Sequence, residues 1–268
     1  MTLRRYSLLL LGILLVAGLR AQEARDASIF LRYLALDGRV EQASRAVAAR
    51  RFGEAQRLLE PCLAKVPEHF EAHFLLAQMA YEAKDFAGAL GHLEIARRSL
   101  AELDRLYRDE MAAMKAQVEV EEQAMRASLD NLYSRGADPS GCTAPLFRSK
   151  QNALDYYEAR KGHLHDRENP FSLPAEYAFL HGNCLYRLGR RSEALDQYRQ
   201  AVQKDPAHGG AWNNLISLQW KAGAYAQARA DLDRAEAAHI TIRPELKQAV
   251  LAASAQVAAQ ATDTLPPR

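Results

Sequence analysis

The sequence predicts an all-α protein built as a solenoid of helical hairpins, and three observations predict it. Ala, Leu, Glu, Arg and Gln dominate while Gly and Val are sparse, a composition that favours helix throughout. A pattern of small and large residues returns at a spacing of 34 residues, from Ala55 to Ala89 and again from Ala194 to Ala228. Prolines and short turns punctuate the chain between these segments, at Lys84-Asp85, Gly189-Arg190 and Gly223-Ala224.

The amino terminus reads as a leader. Arg4 and Arg5 precede an apolar run over residues 8–17, and Ala21 supplies the small residue before a cut, which describes a secretory signal peptide over 1–21. The run is too short for a membrane span, which needs about 20 residues. A retained signal anchor is the alternative, and no Cys stands at the cut to carry a lipid. The expectation is export, to the periplasm first and a secreted destination second, with no stable membrane span after cleavage.

Removing the leader changes the charge. The whole chain has 35 Lys+Arg against 33 Asp+Glu, a net +2, and the leader holds Arg4, Arg5 and Arg20 with no acid. The mature chain therefore carries 32 against 33, a net −1. A nucleic-acid surface would need a clustered excess of basic residues, so no nucleic-acid partner is expected.

The repeat has a physical reason at each position. Around each aligned Ala, an aromatic stands three residues earlier in Phe52, Phe86 and Tyr225, with Arg191 the exception. A large residue follows four later (Leu59, Leu93, Tyr198, Leu232) and a small one seven later (Cys62, Ala96, Ala201, Ala235). Small residues let two helices approach closely, the large one fills the space between neighbouring hairpins, and Pro67 and Pro206 end second helices. First helices lie upstream at 70–82, 175–188 and 209–222.

This pattern resembles the tetratricopeptide repeat family. Trp212, Leu215 and Tyr225 occupy hallmark positions in the last repeat, and Gly182 does so in the third. The resemblance places repeats at 36–69, 70–103, 175–208 and 209–242, in two pairs. The organisation expected is a leader at 1–21, an amino-terminal helix with two repeats over 22–103, and a helical insert over 104–174. Two further repeats occupy 175–242, a capping helix 243–260 and a disordered polar tail 261–268. Leu246, Val250, Leu251 and Val257 give the capping helix its apolar face, as the end of a solenoid requires.

The insert lacks the pattern. Residues 99–133 contain no Pro or Gly, and Leu103, Leu106, Met111, Met114, Val118, Met125, Leu129 and Leu132 form an apolar stripe interrupted by Glu121. The spacing predicts one long helix, continuous with the second helix of repeat two. It packs along the solenoid as a spacer or pairs with a second copy as a homodimer seam. A loop over 134–147, a helix over 148–160 and a second loop over 162–174 complete a unit that separates the repeat pairs, bending the superhelix or dividing the chain into two lobes.

Few clusters suggest chemistry. His163 and His165 stand with Asp166 and Glu168 in a polar loop, residue types that bind divalent metals, but the spacing matches no metal signature. His69 and His73 lie four apart, yet His73 holds a hairpin-packing position where the family often places Trp. No Gly-rich phosphate loop, paired CxxC or local catalytic motif occurs, so neither an enzyme nor a cofactor is expected. In an oxidising compartment Cys142 and Cys184 could pair and staple the insert to the solenoid, while Cys62 replaces a small core residue.

By the resemblance, first helices line a concave groove that binds protein or peptide. The groove positions are Phe74, Gln78, Tyr81 and Glu82 in repeat two, and Phe179, Asn183, Tyr186 and Arg187 in repeat three. In repeat four they are Asn213, Asn214, Ser217, Trp220 and Lys221. Aromatics supply contact area and amides bind backbone groups, which suits an extended peptide or a helix. Asn183 and Asn214 also fall where some members clamp a terminal carboxylate. Phe179, Pro244 and Gln248 stand where those members carry cations, so that clamp is rejected. The function expected is a non-catalytic binding scaffold of the cell envelope, with the metal loop or the homodimer as alternatives.

Overall fold

A computed structural model describes residues 36, 38–165, 171 and 173–263 of the chain. The expected leader therefore lies outside the described residues. Among the described residues ten helices follow in order: α1 over 38–48, α2 Phe52–Lys65, α3 Phe70–Glu82, α4 Phe86–Ser134 and α5 Ala144–His165. They continue as α6 Ala175–Arg187, α7 Arg191–Lys204, α8 Gly209–Lys221, α9 Tyr225–Ala237 and α10 Pro244–Asp263. Among the described residues there is no strand. Two compact units result, a solenoid that runs to Leu100 and resumes at Leu173, and an insert over Ala101–Ser172.

The repeat positions become the core of the solenoid. Ala55, Ala89, Ala194 and Ala228 are fully buried, as are Cys62, Ala96, Ala201 and Ala235. Leu59, Leu93, Tyr198 and Leu232 fill the spaces between hairpins. An added Cβ at Gly182 would stand 2.7 Å from the Tyr198 ring and 3.3 Å from the Ala194 carbonyl oxygen, so glycine there allows α6 and α7 to touch.

Each hairpin turns on a left-handed residue. Arg50, Lys84, Gly189 and Gly223 have φ of 57°, 64°, 80° and 76°, again 34 residues apart within each pair. Behind each, two backbone bonds close the end of the first helix, as in Gly223 N–H to Trp220 and Ala224 N–H to Gln219. Second helices then start at once. The Asp85 carboxylate caps α4 by accepting from Gly88 N–H at 2.8 Å.

Histidines start two of the first helices. His69 Nδ1 accepts from Ala72 N–H at 3.4 Å and His208 Nδ1 from Ala211 N–H at 3.1 Å. One turn on, Trp212 Nε1–H donates to the Pro206 carbonyl at 2.9 Å. His73 makes the matching contact in α3, Nε2 to the Pro67 carbonyl at 2.8 Å, so it serves the packing role of Trp. Its other nitrogen meets His92 Nδ1 at 3.0 Å.

Hairpins 2 and 3 stack directly, although residues 101–172 intervene in the chain. Ala77, Ala89, Leu93 and Ala96 form one buried cluster with Tyr177, Leu180 and Cys184. The Tyr177 hydroxyl donates to the Leu93 carbonyl at 2.8 Å across that junction. The expected separation of the repeat pairs is thus corrected: the solenoid runs through the insertion point because the apolar face of hairpin 2 is complementary to that of hairpin 3. A second cluster joins α1, α2 and α3 through Val40, Leu59, Cys62 and Leu75. A third joins hairpins 3 and 4 to the cap through Trp212, Leu215, Ile242 and Val250. The cap extends to Asp263, beyond its expected end at 260.

The insert is a helical hairpin of its own. The later part of α4 runs antiparallel to α5, with Lys150 Nζ donating to Ser128 Oγ at 2.6 Å and Tyr133 against Phe147 at 4.8 Å between ring centroids. Arg126 bridges Glu122 and Glu158 at 2.8 Å and 3.0 Å. Leu103, Tyr107, Met111 and Val118 are buried, so the long stripe serves the insert's own core together with Phe147, Leu154 and Phe171. Two expectations change here. The helix α5 continues to His165, which puts His163 and His165 on helical backbone rather than in a loop; Asp166 and Glu168 lie outside the described residues. All three cysteines are free. Cys184 is sealed inside the stack, where burial pushes its thiol up to about 12, and Cys142 is exposed, so the expected disulfide is not formed.

Candidate functional site

The first helices present one continuous face. On α3, Phe74, Gln78 and Tyr81 recur at spacings of four and three; on α6, Glu176, Asn183 and Arg187 recur at seven and four. Two depressions follow this face. One is lined by Val40, Phe70, Phe74 and Gln78 together with Glu41, Glu71 and Glu176. The other, of about 270 Å³, is lined by Tyr81, Asn183, Tyr186, Arg187, Tyr198, Asn214, Ser217, Leu218, Lys221 and Arg243.

Hydrogen bonds organise the second depression. Asn183 Oδ1 accepts from the Tyr198 hydroxyl and from Asn214 Nδ2, both at 2.9 Å, tying α6, α7 and α8 together. Burial raises the Tyr198 hydroxyl pKa, so it stays a neutral donor. Lys221 Nζ donates to the Tyr186 hydroxyl at 3.0 Å and lies 5.5 Å from the ring centroid. That hydrogen bond lowers the Tyr186 pKa, with Arg191 and Arg187 adding to it electrostatically. Arg187 stands over the Phe86 ring at 5.8 Å.

The thirteen expected groove residues divide. Tyr81, Asn183, Tyr186, Arg187, Asn214, Ser217 and Lys221 gather in the basic depression, and Phe74 and Gln78 in the apolar one. Trp220 lines a shallow neighbouring depression toward the cap, with Ser217, Lys221, Arg243 and Glu245. Three do other work. Glu82 pairs with Arg50 of the preceding turn at 3.2 Å. Phe179 packs 4.5 Å from the His208 ring and against Gly210, filling the junction of hairpins 3 and 4. Asn213 donates to the Gly209 and Thr241 carbonyls and accepts from Arg243 N–H at 3.0 Å.

That last bond positions a residue the sequence reading missed. Arg243 stands 34 residues after Gly209, so extending the register once more would have marked it as the start of a further first helix. Tyr198 was assigned to packing alone, and it does pack; its hydroxyl, however, reaches the groove face. Among the described residues no group of three or more His, Cys, Asp or Glu is placed to hold a metal ion, and no helix is long and apolar enough to cross a membrane.

An all-α stack of hairpins with a polar, aromatic-lined face along its first helices defines a helical-repeat protein. The profile of the tetratricopeptide repeat matches residues 40–104 and 179–241, and the chain belongs to that family. Its repeats are those of a protein–protein interaction scaffold. Among solved structures, the crystal structure of the P58(IPK) TPR domain is similar at 14% sequence identity, covering 92% of this chain and 72% of that one, with a TM-score of 0.28. No curated protein matches the sequence.

Proposed function

We propose that this protein is a non-catalytic scaffold that binds a segment of another protein along the face of α3, α6 and α8. The observation that carries the reading is the basic depression, where Tyr81 of α3, Asn183, Tyr186 and Arg187 of α6, and Asn214 and Lys221 of α8 line one site with Arg243. Aromatic rings give contact area at little conformational cost, and side-chain amides satisfy both donors and acceptors of an extended backbone. The amino-terminal leader further supports action in the cell envelope, with residues 1–21 removed on export.

The test is cross-linking capture in the native host, using the full chain beside a Tyr186→Ala/Trp220→Ala variant. A protein captured by the parent and lost by the folded variant supports the groove. Equal capture by both refutes it and directs attention to the insert. Amino-terminal sequencing of the purified protein checks export: a start at Gln22 is expected, and an intact Met1 in the envelope fraction would mean a retained anchor.

A further inference from the structure

The charges along the groove are sorted by sign. Among its described lining residues, the depression at the α1–α3 end carries Glu41, Glu71 and Glu176 and no cation. The depression at the α6–α8 end carries Arg187, Lys221 and Arg243 and no carboxylate. Half of the described solenoid arginines pair with an acid three or four residues away, as Arg97 does with Glu94 at 2.7 Å and Arg229 with Asp233 at 3.0 Å. The three groove cations are engaged otherwise: Arg187 over an aromatic ring, Lys221 on a tyrosine hydroxyl, and Arg243 by its backbone on Asn213. Among the described residues none of the three makes an ion pair. In the adjoining depression Glu245 stands with Lys221 and Arg243.

Three cations with one sign of charge in a concave site attract and orient an anionic partner. They come from the ends of α6 and α8 and from the segment before α10, so three separate elements supply the charge of one depression. Neighbouring carboxylates on an extended chain match three such cations, and the Asn183 and Asn214 amides in the same lining match its backbone. We infer that the α6–α8 half of the groove docks an acidic segment of an extended protein partner, its carboxylates on Arg187, Lys221 and Arg243. This rests on the groove being the binding surface.

The test is fluorescence anisotropy of the full chain with a labelled peptide of alternating Glu and Tyr, beside the same peptide with every Glu replaced by Gln. The acidic probe should bind about tenfold tighter or more and weaken as salt is raised. Lys221→Met with Arg243→Gln should cost about tenfold, each lost ion pair contributing a few-fold. Both side chains are exposed, so thermal unfolding should match the parent. Glu71→Gln with Glu176→Gln should leave this binding intact or strengthen it. Equal binding of both probes, or undiminished binding by the cation variant, overturns the inference. If both probes bind equally and Tyr186→Ala/Trp220→Ala abolishes it, the groove reading survives while the preference for acid falls.

Discussion

Replacing His69 with Asn should flatten the acid limb of this protein's stability curve. The His69 ring is fully buried at the start of α3, with Nδ1 accepting from Ala72 N–H. Burial first, and then repulsion from His73, lower its pKa from 6.5 to about 4. A folded pKa below the unfolded one means that the unfolded chain takes up the proton first as pH falls. The stability held by neutral His69 is therefore complete above about pH 6.5 and is lost progressively down to about pH 4. One proton is worth about 1.4 kcal/mol per pH unit, so the full window amounts to about 3 kcal/mol. Asn keeps an N-cap acceptor and does not titrate. His92 and His181 are also held low, burial being the main cause, and they remain in both proteins, so the difference between the two curves is the observable. Urea unfolding followed by far-ultraviolet circular dichroism from about pH 7.5 to about pH 4 would give it. The parent should lose about 3 kcal/mol more than the variant across the window. Parallel curves would show that His69 is not the source and would refute the argument from burial.

Gly182→Ala gains about 1 kcal/mol of helix propensity but drives a methyl to 2.7 Å from the Tyr198 ring and 3.3 Å from the Ala194 carbonyl. Overpacking costs about 1–3 kcal/mol, so a net fall in melting temperature is expected, and a rise would mean that α7 yields freely. Tyr198→Phe removes the donor to Asn183 Oδ1 and should cost about 1 kcal/mol, with a double-mutant cycle against Asn214→Ala showing coupling through the shared oxygen. Lys84→Gly should stabilise by about 0.5–1 kcal/mol in chemical denaturation, because the exposed lysine sits at φ 64° where glycine carries no steric penalty. Loss of stability there would point to a lysine contact that outweighs the strain.

The architecture was legible because it is local and periodic. Small and large residues four and seven places apart on a second helix specify which face meets a neighbour, and a 34-residue recurrence specifies stacking. Even so, the punctuation was uneven: Gly189 and Gly223 announce left-handed turns, whereas Arg50 and Lys84 adopt the same backbone with no glycine to signal it. The groove was readable only in part. Resemblance placed Asn183, Tyr186, Asn214 and Lys221 on one face, but it placed Phe179 and Asn213 there too. In the fold those two are taken up by His208 and by the 241–243 backbone.

Each hairpin is written into the local sequence, since it is specified by side chains within a few turns of one another. Tertiary structure alone decided that Leu93 meets Tyr177 across the insert, that the insert's stripe is covered by α5, and that Arg243 joins Arg187 and Lys221. Those pairings depend on which apolar faces find complementary partners after the helices form. Sequence separation imposes only a slowly growing entropic cost on closing the loop between them, so nothing local records the choice.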